Sequence, residues 1–315
     1  MFEDKSIGVV VPAFNEEKLI GRVLETMPSM VDRIIVVDDA SKDGTAQVVE
    51  RYALSDKRIL LLRHAENQGV GGAIASGYAR AVEEGIDIVV VMAGDAQMDP
   101  ADLPNLVRPI ARGEVDYAKG NRLFSGESWK MIPHYRYMGN ALLSLLTKIA
   151  SGYWHIADSQ TGYSAISSEA LGKIDLTRIY KHYGMPNDIL IKLNCINARV
   201  RDIPVRPVYN IGEKSGIRLR KVIPTLSLLL LKGFFIRLLR KYVILDFHPL
   251  VFFYTLGLLI TPVGFLLGVT LFIYRLMGHG VAVTSALFAA FLVISGLQLL
   301  FFAMWFDMEY NKNLR

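Results

Sequence analysis

Val89-Val90-Val91-Met92-Ala93-Gly94-Asp95-Ala96-Gln97-Met98-Asp99-Pro100 is the stretch whose reading decides the fold. Its β-branched run reads as a strand buried on both faces, which is how strands of parallel sheets look. The run stops in small residues and then a carboxylate, which puts Asp95 at the carboxyl end of a core strand. In open α/β sheets that edge is where ligands bind. A carboxylate there, with the carboxamide of Gln97 two residues on, suits a hard divalent cation and, through it, a diphosphate. Asp99-Pro100 has the form of a helix N-cap with proline at the first helical position. A cap accounts for Asp99 and leaves Asp95 for function.

Upstream of this strand the same grammar recurs. Ile7 to Val11 is an apolar run followed by Pro12-Ala13-Phe14-Asn15-Glu16-Glu17, and Leu19, Ile20, Val23, Leu24 and Met27 then recur at helical spacing. Arg33 to Val37 is a second strand closed by Asp38-Asp39-Ala40-Ser41, and Ile59 to Leu62 is a third. Strands alternating with helices predict a doubly wound, mostly parallel sheet. Glu16, Asp38, Asp39 and Asp95 then fall on one sheet edge, where carboxylates can bind ribose hydroxyls and base N–H groups. Gly69, Gly71 and Gly72 do not have dinucleotide-fingerprint spacing and follow the third strand rather than the first, which argues against a nicotinamide oxidoreductase. Their simpler role is close backbone approach, to a helix or to a ligand.

The chain has 315 residues, 52% of them hydrophobic, a net charge of +5 and one cysteine, Cys195, which permits no internal disulfide. Its mean hydropathy of +0.31 is high for a soluble enzyme. The excess is local, since Pro249–Tyr274 and Val281–Phe306 carry no charged residue and each exceeds the ~20 residues that span a bilayer. The short connector between them predicts a two-span hairpin, spans about 249–274 and 281–306. Residues 222–246 are apolar with Lys232, Arg237, Arg240 and Lys241 interspersed, and read as an interfacial helix whose basic side chains snorkel toward phosphates. Those residues, with Lys214, Arg218, Arg220 and Lys221, predict by the positive-inside tendency that the large domain, residues 1–221, is cytoplasmic at the plasma membrane. The start, Met-Phe-Glu-Asp-Lys, leads to an expectation of no signal peptide. Basic charge here points to anionic lipid and phosphate; no nucleic-acid-binding motif accompanies it.

Val9 to Glu17, Val36-Val37-Asp38-Asp39-Ala40-Ser41, Asn67-Gln68-Gly69-Val70-Gly71 and Asp95-Ala96-Gln97 together resemble glycosyltransferase family 2. Gly120-Asn121-Arg122, Asp158-Ser159-Gln160-Thr161-Gly162-Tyr163, Ile203-Pro204-Val205 and Gly212-Glu213-Lys214-Ser215 are similar to segments of its dolichyl-phosphate mannose synthase and polyprenyl-phosphate glycosyltransferase branch. The resemblance implies a GT-A fold. It also implies inverting transfer of one sugar, mannose or glucose, from a nucleotide sugar (GDP-mannose or UDP-glucose) to polyprenyl or dolichyl phosphate. Pro12, Phe14, Glu16 and Asp38 or Asp39 would hold base and ribose, with Gly69 and Asp95 also on the nucleotide sugar. A divalent cation, Mg²⁺ or Mn²⁺, would be held by Asp95 and Gln97. Arg122, Arg136 and Lys214, with Arg218 in reserve, are the candidate clamps for the acceptor phosphate, and Asp95, Arg122 and Arg136 are expected to be catalytic. Asp158 either orients an arginine, binds the sugar or caps a loop, and Gln160 is open in the same way.

One departure stands out: the family's D-x-D becomes Ala93-Gly94-Asp95, one carboxylate fewer for a cation. It is the sole support for a non-catalytic scaffold. A processive polysaccharide synthase would carry Q-x-x-R-W, which the chain lacks.

Overall fold

The structure, a computed structural model, describes residues 2–124, 134–206, 208 and 219–315, without the side chains of 134–138, 140 and 219–221. Two compact units are present, residues 1–234 with 314–315, and residues 235–313.

The first unit is built on a seven-stranded sheet. Its strands are β1 (Ile7–Ala13), β2 (Arg33–Asp38), β3 (Ile59–Arg63), β4 (Ile88–Val91), β5 (Tyr117–Asn121), β6 (Ser164–Ser167) and β7 (Val200–Pro204), in the order β3-β2-β1-β4-β6-β5-β7. β6 alone runs antiparallel to its neighbours β4 and β5. The first half follows directly from the sequence: valine- and isoleucine-rich strands, each returned by a helix, pair in parallel. The connecting helices are α1 (Ile20–Glu25), α2 (Thr45–Ser55), α3 (Val70–Glu83) and α4 (Leu103–Ala111). The two-residue period of each strand sends alternate side chains to opposite faces. Val9, Val11, Ile34, Val36 and Val90 enter one core with residues of α1, α2 and α4. Val10, Ile35, Val37, Val89 and Val91 enter the other with residues of α3. Gly77 lets α3 lie close on the sheet, since a Cβ there would stand 2.3 Å from a Val10 methyl.

The later part holds α5 (His134–Ser151), α6 (Ser168–Gly172) and α7 (Met185–Cys195). Because β6 is antiparallel, its amino end lies at the same edge as the carboxyl ends of β4 and β5. Val91 pairs with Ser164, and Ser164 with Lys119. The segments 92–98, 121–124 and 158–163 therefore share one edge of the sheet.

Beyond the sheet the expected hairpin needs correction. Three segments, not two, are long and apolar enough to cross a membrane: Val222–Leu245, Leu250–Leu276 and Val283–Tyr310. The first, read from sequence as an interfacial helix, comprises α8 (Leu219–Leu239) continued by a π-helical turn, Arg240–Leu245. At about 1.5 Å per residue its 24 residues reach roughly 36 Å, more than a hydrocarbon core of about 30 Å. Within the second unit, α9 (Leu250–Leu276) and α10 (Val283–Tyr310) pack antiparallel. Gly257 meets Leu300, Gly296 meets Thr261 and Gly264 meets Leu292, so small residues bring the backbones together as membrane helix pairs require.

Two of the basic residues expected to snorkel do not. Arg237 and Asp307 are both fully buried and pair through two contacts of 2.8 and 3.0 Å. Lys241 is equally buried and donates to Asn311 Oδ1 at 2.7 Å. Tyr242 OH donates to Asp307, and Asn311 Nδ2 donates to Tyr242 OH. Each of these partners lies about 70 residues away in sequence. Lys232 and Arg240 remain exposed.

Candidate active site

The carboxyl ends of β1, β2 and β4 are locally strained. Asn15, Ala40 and Ala96 follow these strands with φ of +58°, +60° and +58°. A left-handed conformation costs an alanine roughly 1–2 kcal/mol, so it persists only where surrounding contacts impose it. Those contacts are visible. Asn15 N donates to Ser41 Oγ, Lys42 N to Asn15 Oδ1, Glu16 N to Thr45 Oγ1 and Gly44 N to Glu17 Oε2. The turn after β1 is thus laced to the turn after β2. Phe14 stands out from this platform at 44% exposure, its ring open to a stacking partner.

The two adjacent aspartates, left as alternatives by the sequence, have different surroundings. Asp39 is buried and its carboxylate is fully engaged: Oδ1 takes His64 Nδ1 at 2.7 Å and Gln68 N at 2.9 Å, and Oδ2 takes Gly69 N at 2.8 Å. It pins the loop between β3 and α3. Among the described residues the Asp38 carboxylate accepts only the Ser41 amide, at Oδ1 and 3.2 Å, so Asp38 is the one with acceptor capacity to spare. Gly69, with φ +82°, and Gly71 abut a neighbouring stretch of backbone. A Cβ at Gly69 would stand 2.4 Å from Lys181 O, and one at Gly71 2.0 Å from Tyr180 O. Pro12 is buried in the sheet, where its carbonyl accepts from Gly94 N at 3.1 Å.

At the end of β4, Asp95 Oδ1 accepts the Gln97 amide at 3.1 Å. Asp99 caps the 3₁₀ turn Pro100–Asp102 by accepting from Ala101 N, as its sequence predicts. Glu16 lies close enough to Asp95 and Asp43 for its carboxyl to respond. Burial, then the charges of Asp95 and Asp43, push its pKa up to about 7. Carboxylates crowded in this way are the mark of a place suited to positive charge. Among the described residues no three acidic, histidine or cysteine side chains converge on a cation-sized gap. The all-oxygen donor set fits a hard cation, provided that it takes most of its ligands from diphosphate and water. A cavity of about 370 Å³ beside this loop is lined by Arg22, Met92, Ala96, Met98, Asp99 and Val208; neither Asp95 nor Glu16 lines it.

Next to this edge stands a cation. Arg122 is held in a forked pair with Asp158, Nε to Oδ2 at 2.7 Å and Nη2 to Oδ1 at 3.1 Å. Burial works to raise the Asp158 pKa, but Arg122 and Lys119 outweigh it and hold the carboxyl below its ordinary range. So Asp158 orients an arginine, one of the roles the sequence left open.

Sequence reasoning missed the residues behind this pair. Lys119 is fully buried and donates to Thr161 O. Burial pulls its pKa down to about 8, against the opposing pull of Asp158 and Asp202. Asp202, on β7, accepts at Oδ2 from Asn121 Nδ2 at 3.1 Å and Ala157 N at 2.7 Å, tying the end of β5 just before Arg122 to the segment just before Asp158. Burial pushes the Asp202 pKa up to about 6. The one available signal was a lysine inside the apolar run Tyr117-Ala118-Lys119-Gly120. The side chain of Arg136, on α5, and Lys214 and Arg218 lie outside the described residues.

The profile of glycosyl transferase family 2 matches residues 8–175. Among similar proteins is UDP-N-acetylglucosamine–dolichyl-phosphate N-acetylglucosaminyltransferase of Methanococcus voltae, 31% identical over 65% of this chain and 87% of the relative. Polyprenol monophosphomannose synthase of Mycolicibacterium smegmatis is 30% identical over 68% of this chain and 82% of the relative. The fold is shared with glucosyl-3-phosphoglycerate synthase of Mycobacterium tuberculosis, whose crystal structure holds Mn²⁺, UDP and glucosyl-3-phosphoglycerate. The two chains are 22% identical with a TM-score of 0.53, over 74% of this chain and 80% of that one.

Proposed function

The chain belongs to glycosyl transferase family 2, and we propose that it transfers one sugar from a nucleoside-diphosphate sugar to the phosphate of a membrane polyprenol at the cytoplasmic face. The observation that carries this reading is the adjacency of strand-end carboxylates and a buttressed arginine, Arg122 on Asp158, in a chain with membrane-length helices. Two relatives act on polyprenyl-type phosphates, which supports the acceptor class. The donor is a mannose, glucose or N-acetylglucosamine nucleotide, the last brought in by the Methanococcus voltae relative.

In this reading Phe14 stacks on the base, and Asp38 accepts from base or ribose while Asp39 holds the β3–α3 loop in place. Asp95 and its neighbour Gln97 would hold a divalent cation, Mg²⁺ or Mn²⁺, whose chemistry would be to neutralise charge on the leaving diphosphate. Glu16, with its pKa near 7, would ionise fully once that positive charge arrived. A phosphomonoester is already largely dianionic near neutral pH, because its second pKa is about 6. It attacks the anomeric carbon directly, and the bond to the diphosphate breaks with its electron pair leaving on the diphosphate. No general base is required, only alignment, and Arg122, whose fork is fixed on Asp158, supplies a rigidly placed positive charge for the phosphate. Arg136, Lys214 and Arg218 are proposed to complete the acceptor clamp.

The test is transfer of radiolabel from GDP- and UDP-sugars to polyprenyl phosphate in detergent, with Mg²⁺ or Mn²⁺. Asp95→Asn should lower transfer at least about 100-fold, in the range of other charge-stabilising groups. No transfer from any donor by a protein that binds nucleotide would refute the reading.

A further inference from the structure

Gln160 and Asn187 form a unit that the reaction outlined above does not use. Asn187, on the first turn of α7, is fully buried, and its Oδ1 accepts from Gln160 Nε2 at 3.2 Å and from Thr147 Oγ1 at 3.1 Å. Its Nδ2 is buried with no hydrogen-bond partner among the described residues. Buried amides are ordinarily satisfied, so an asparagine kept here at a cost invites a functional explanation. What Asn187 secures is the orientation of Gln160. The Gln160 nitrogen has two acceptors, Asn187 Oδ1 and Ser159 Oγ at 2.6 Å. With the nitrogen committed inward, the carboxamide oxygen is directed away from Asn187. Among the described residues no hydrogen bond reaches that oxygen, and the half-buried Gln160 remains accessible to a ligand.

Place and chemistry narrow the ligand. Gln160 precedes β6, whose register sets Ser164 opposite Val91 and Lys119, so it lies at the edge shared by Asp95 and Arg122. Its own amide donates to the Asp158 carboxylate at 3.1 Å. An amide oxygen can only accept, so it does not recognise a phosphate oxygen. It selects a hydroxyl or an N–H. Base and ribose would occupy the ends of β1 and β2, on the far side of β4 in the strand order. The donor group that remains on the β6 side is the transferred sugar.

We propose that Gln160 is a specificity-determining residue whose side-chain oxygen accepts from a hydroxyl or acetamido N–H of the transferred sugar, with Asn187 as the positioning residue that fixes its orientation. The proposal rests on the transfer reading above.

The experiment compares kcat/KM for the accepted nucleotide sugar and its mono-deoxy analogues in wild-type protein, Gln160→Ala and Asn187→Leu. Binding of the product nucleotide and the melting temperature serve as checks on folding. One deoxy analogue should lose about tenfold in the wild type, the value of one neutral hydrogen bond of about 1.4 kcal/mol. Gln160→Ala should lose the same factor with the natural sugar and nothing further with that analogue. Asn187→Leu should lose severalfold with the natural sugar and show no added effect on the Gln160→Ala background. If Gln160→Ala penalises every analogue equally, no hydroxyl is read and the proposal is overturned. The same holds if Asn187→Leu melts early with unchanged sugar selectivity, because Asn187 is then structural alone. Absence of wild-type transfer from any donor overturns the transfer reading itself, a result distinguishable from these two.

Discussion

The buried pair Arg237–Asp307 offers the sharpest quantitative test of how the second unit is held together. Both side chains are wholly excluded from solvent, and the guanidinium meets both carboxylate oxygens. With charge centres about 4 Å apart and an effective dielectric near 20, the attraction is roughly 4 kcal/mol. This agrees with the ~3–5 kcal/mol observed when one member of a buried pair is removed and the other left uncompensated. Asp307→Asn should therefore destabilise by about that amount, somewhat mitigated by Tyr242 and Asn311, which already bond to Asp307. For a unit of 60–100 residues, one kcal/mol is about 4–8 °C, so a shift on the order of 10 °C or more is expected if this unit melts by itself. Arg237→Met should do the same. The double variant Arg237→Met, Asp307→Leu removes both charges and should recover most of the loss, for a coupling energy of at least about 2 kcal/mol. The assay is thermal unfolding in detergent, followed by tryptophan fluorescence and by protease resistance. Single variants within about 0.5 kcal/mol of wild type, or a double variant as unstable as the sum of the singles, would refute the reasoning.

Three further outcomes are expected. Asp39→Ala should destabilise the sheet domain by about 2 kcal/mol or more, because it strips acceptors from His64, Gln68 and Gly69, whereas Asp38→Ala should weaken nucleotide binding at nearly unchanged melting temperature; isothermal titration with thermal melts separates the two, and the reverse pattern would exchange their roles. The raised Glu16 pKa means that its share of stability is present below pH 4.5 and is lost as pH rises toward 7, so stabilisation by Mn²⁺, which favours the ionised form, should grow between pH 5 and 7.5. Glu16→Gln should flatten that dependence in a pH series of melts, and an unchanged slope would separate Glu16 from any cation. Ala96→Gly should raise stability by about 1 kcal/mol by relieving the left-handed strain, while lowering kcat through a less rigid β4 turn; a loss of stability would mean that the Ala96 methyl matters more for packing than its backbone does for strain.

Much of the sheet domain was legible in advance because its signals are local. Strand runs such as Val89–Val91, the Asp99-Pro100 cap and helical spacing in α1 are written over a few consecutive residues. The antiparallel insertion of β6 between β4 and β5 was not legible, since register depends on partners more than 40 residues apart. Asp38 and Asp39 are chemically identical neighbours, and only the course of the 64–69 loop distinguishes them. Lys119 and Asp202 read as unremarkable until the strands bring them behind Arg122 and Asp158.

The sequence by itself determined the family, the α/β class and the apolar segments, because motif residues, strand periodicity and hydrocarbon length are properties of contiguous chain. It determined also that one carboxylate of the strand-end pair is missing, at Ala93. Tertiary structure alone decided which aspartate pins a loop, which arginine is buttressed and which lysines and arginines are buried. In Val222–Leu245 the charges argued for an interfacial helix while Asp307 and Asn311, the partners that neutralise or bond them, lay 70 residues away. The energy of a charge depends on its surroundings, and those are assembled only when distant segments meet.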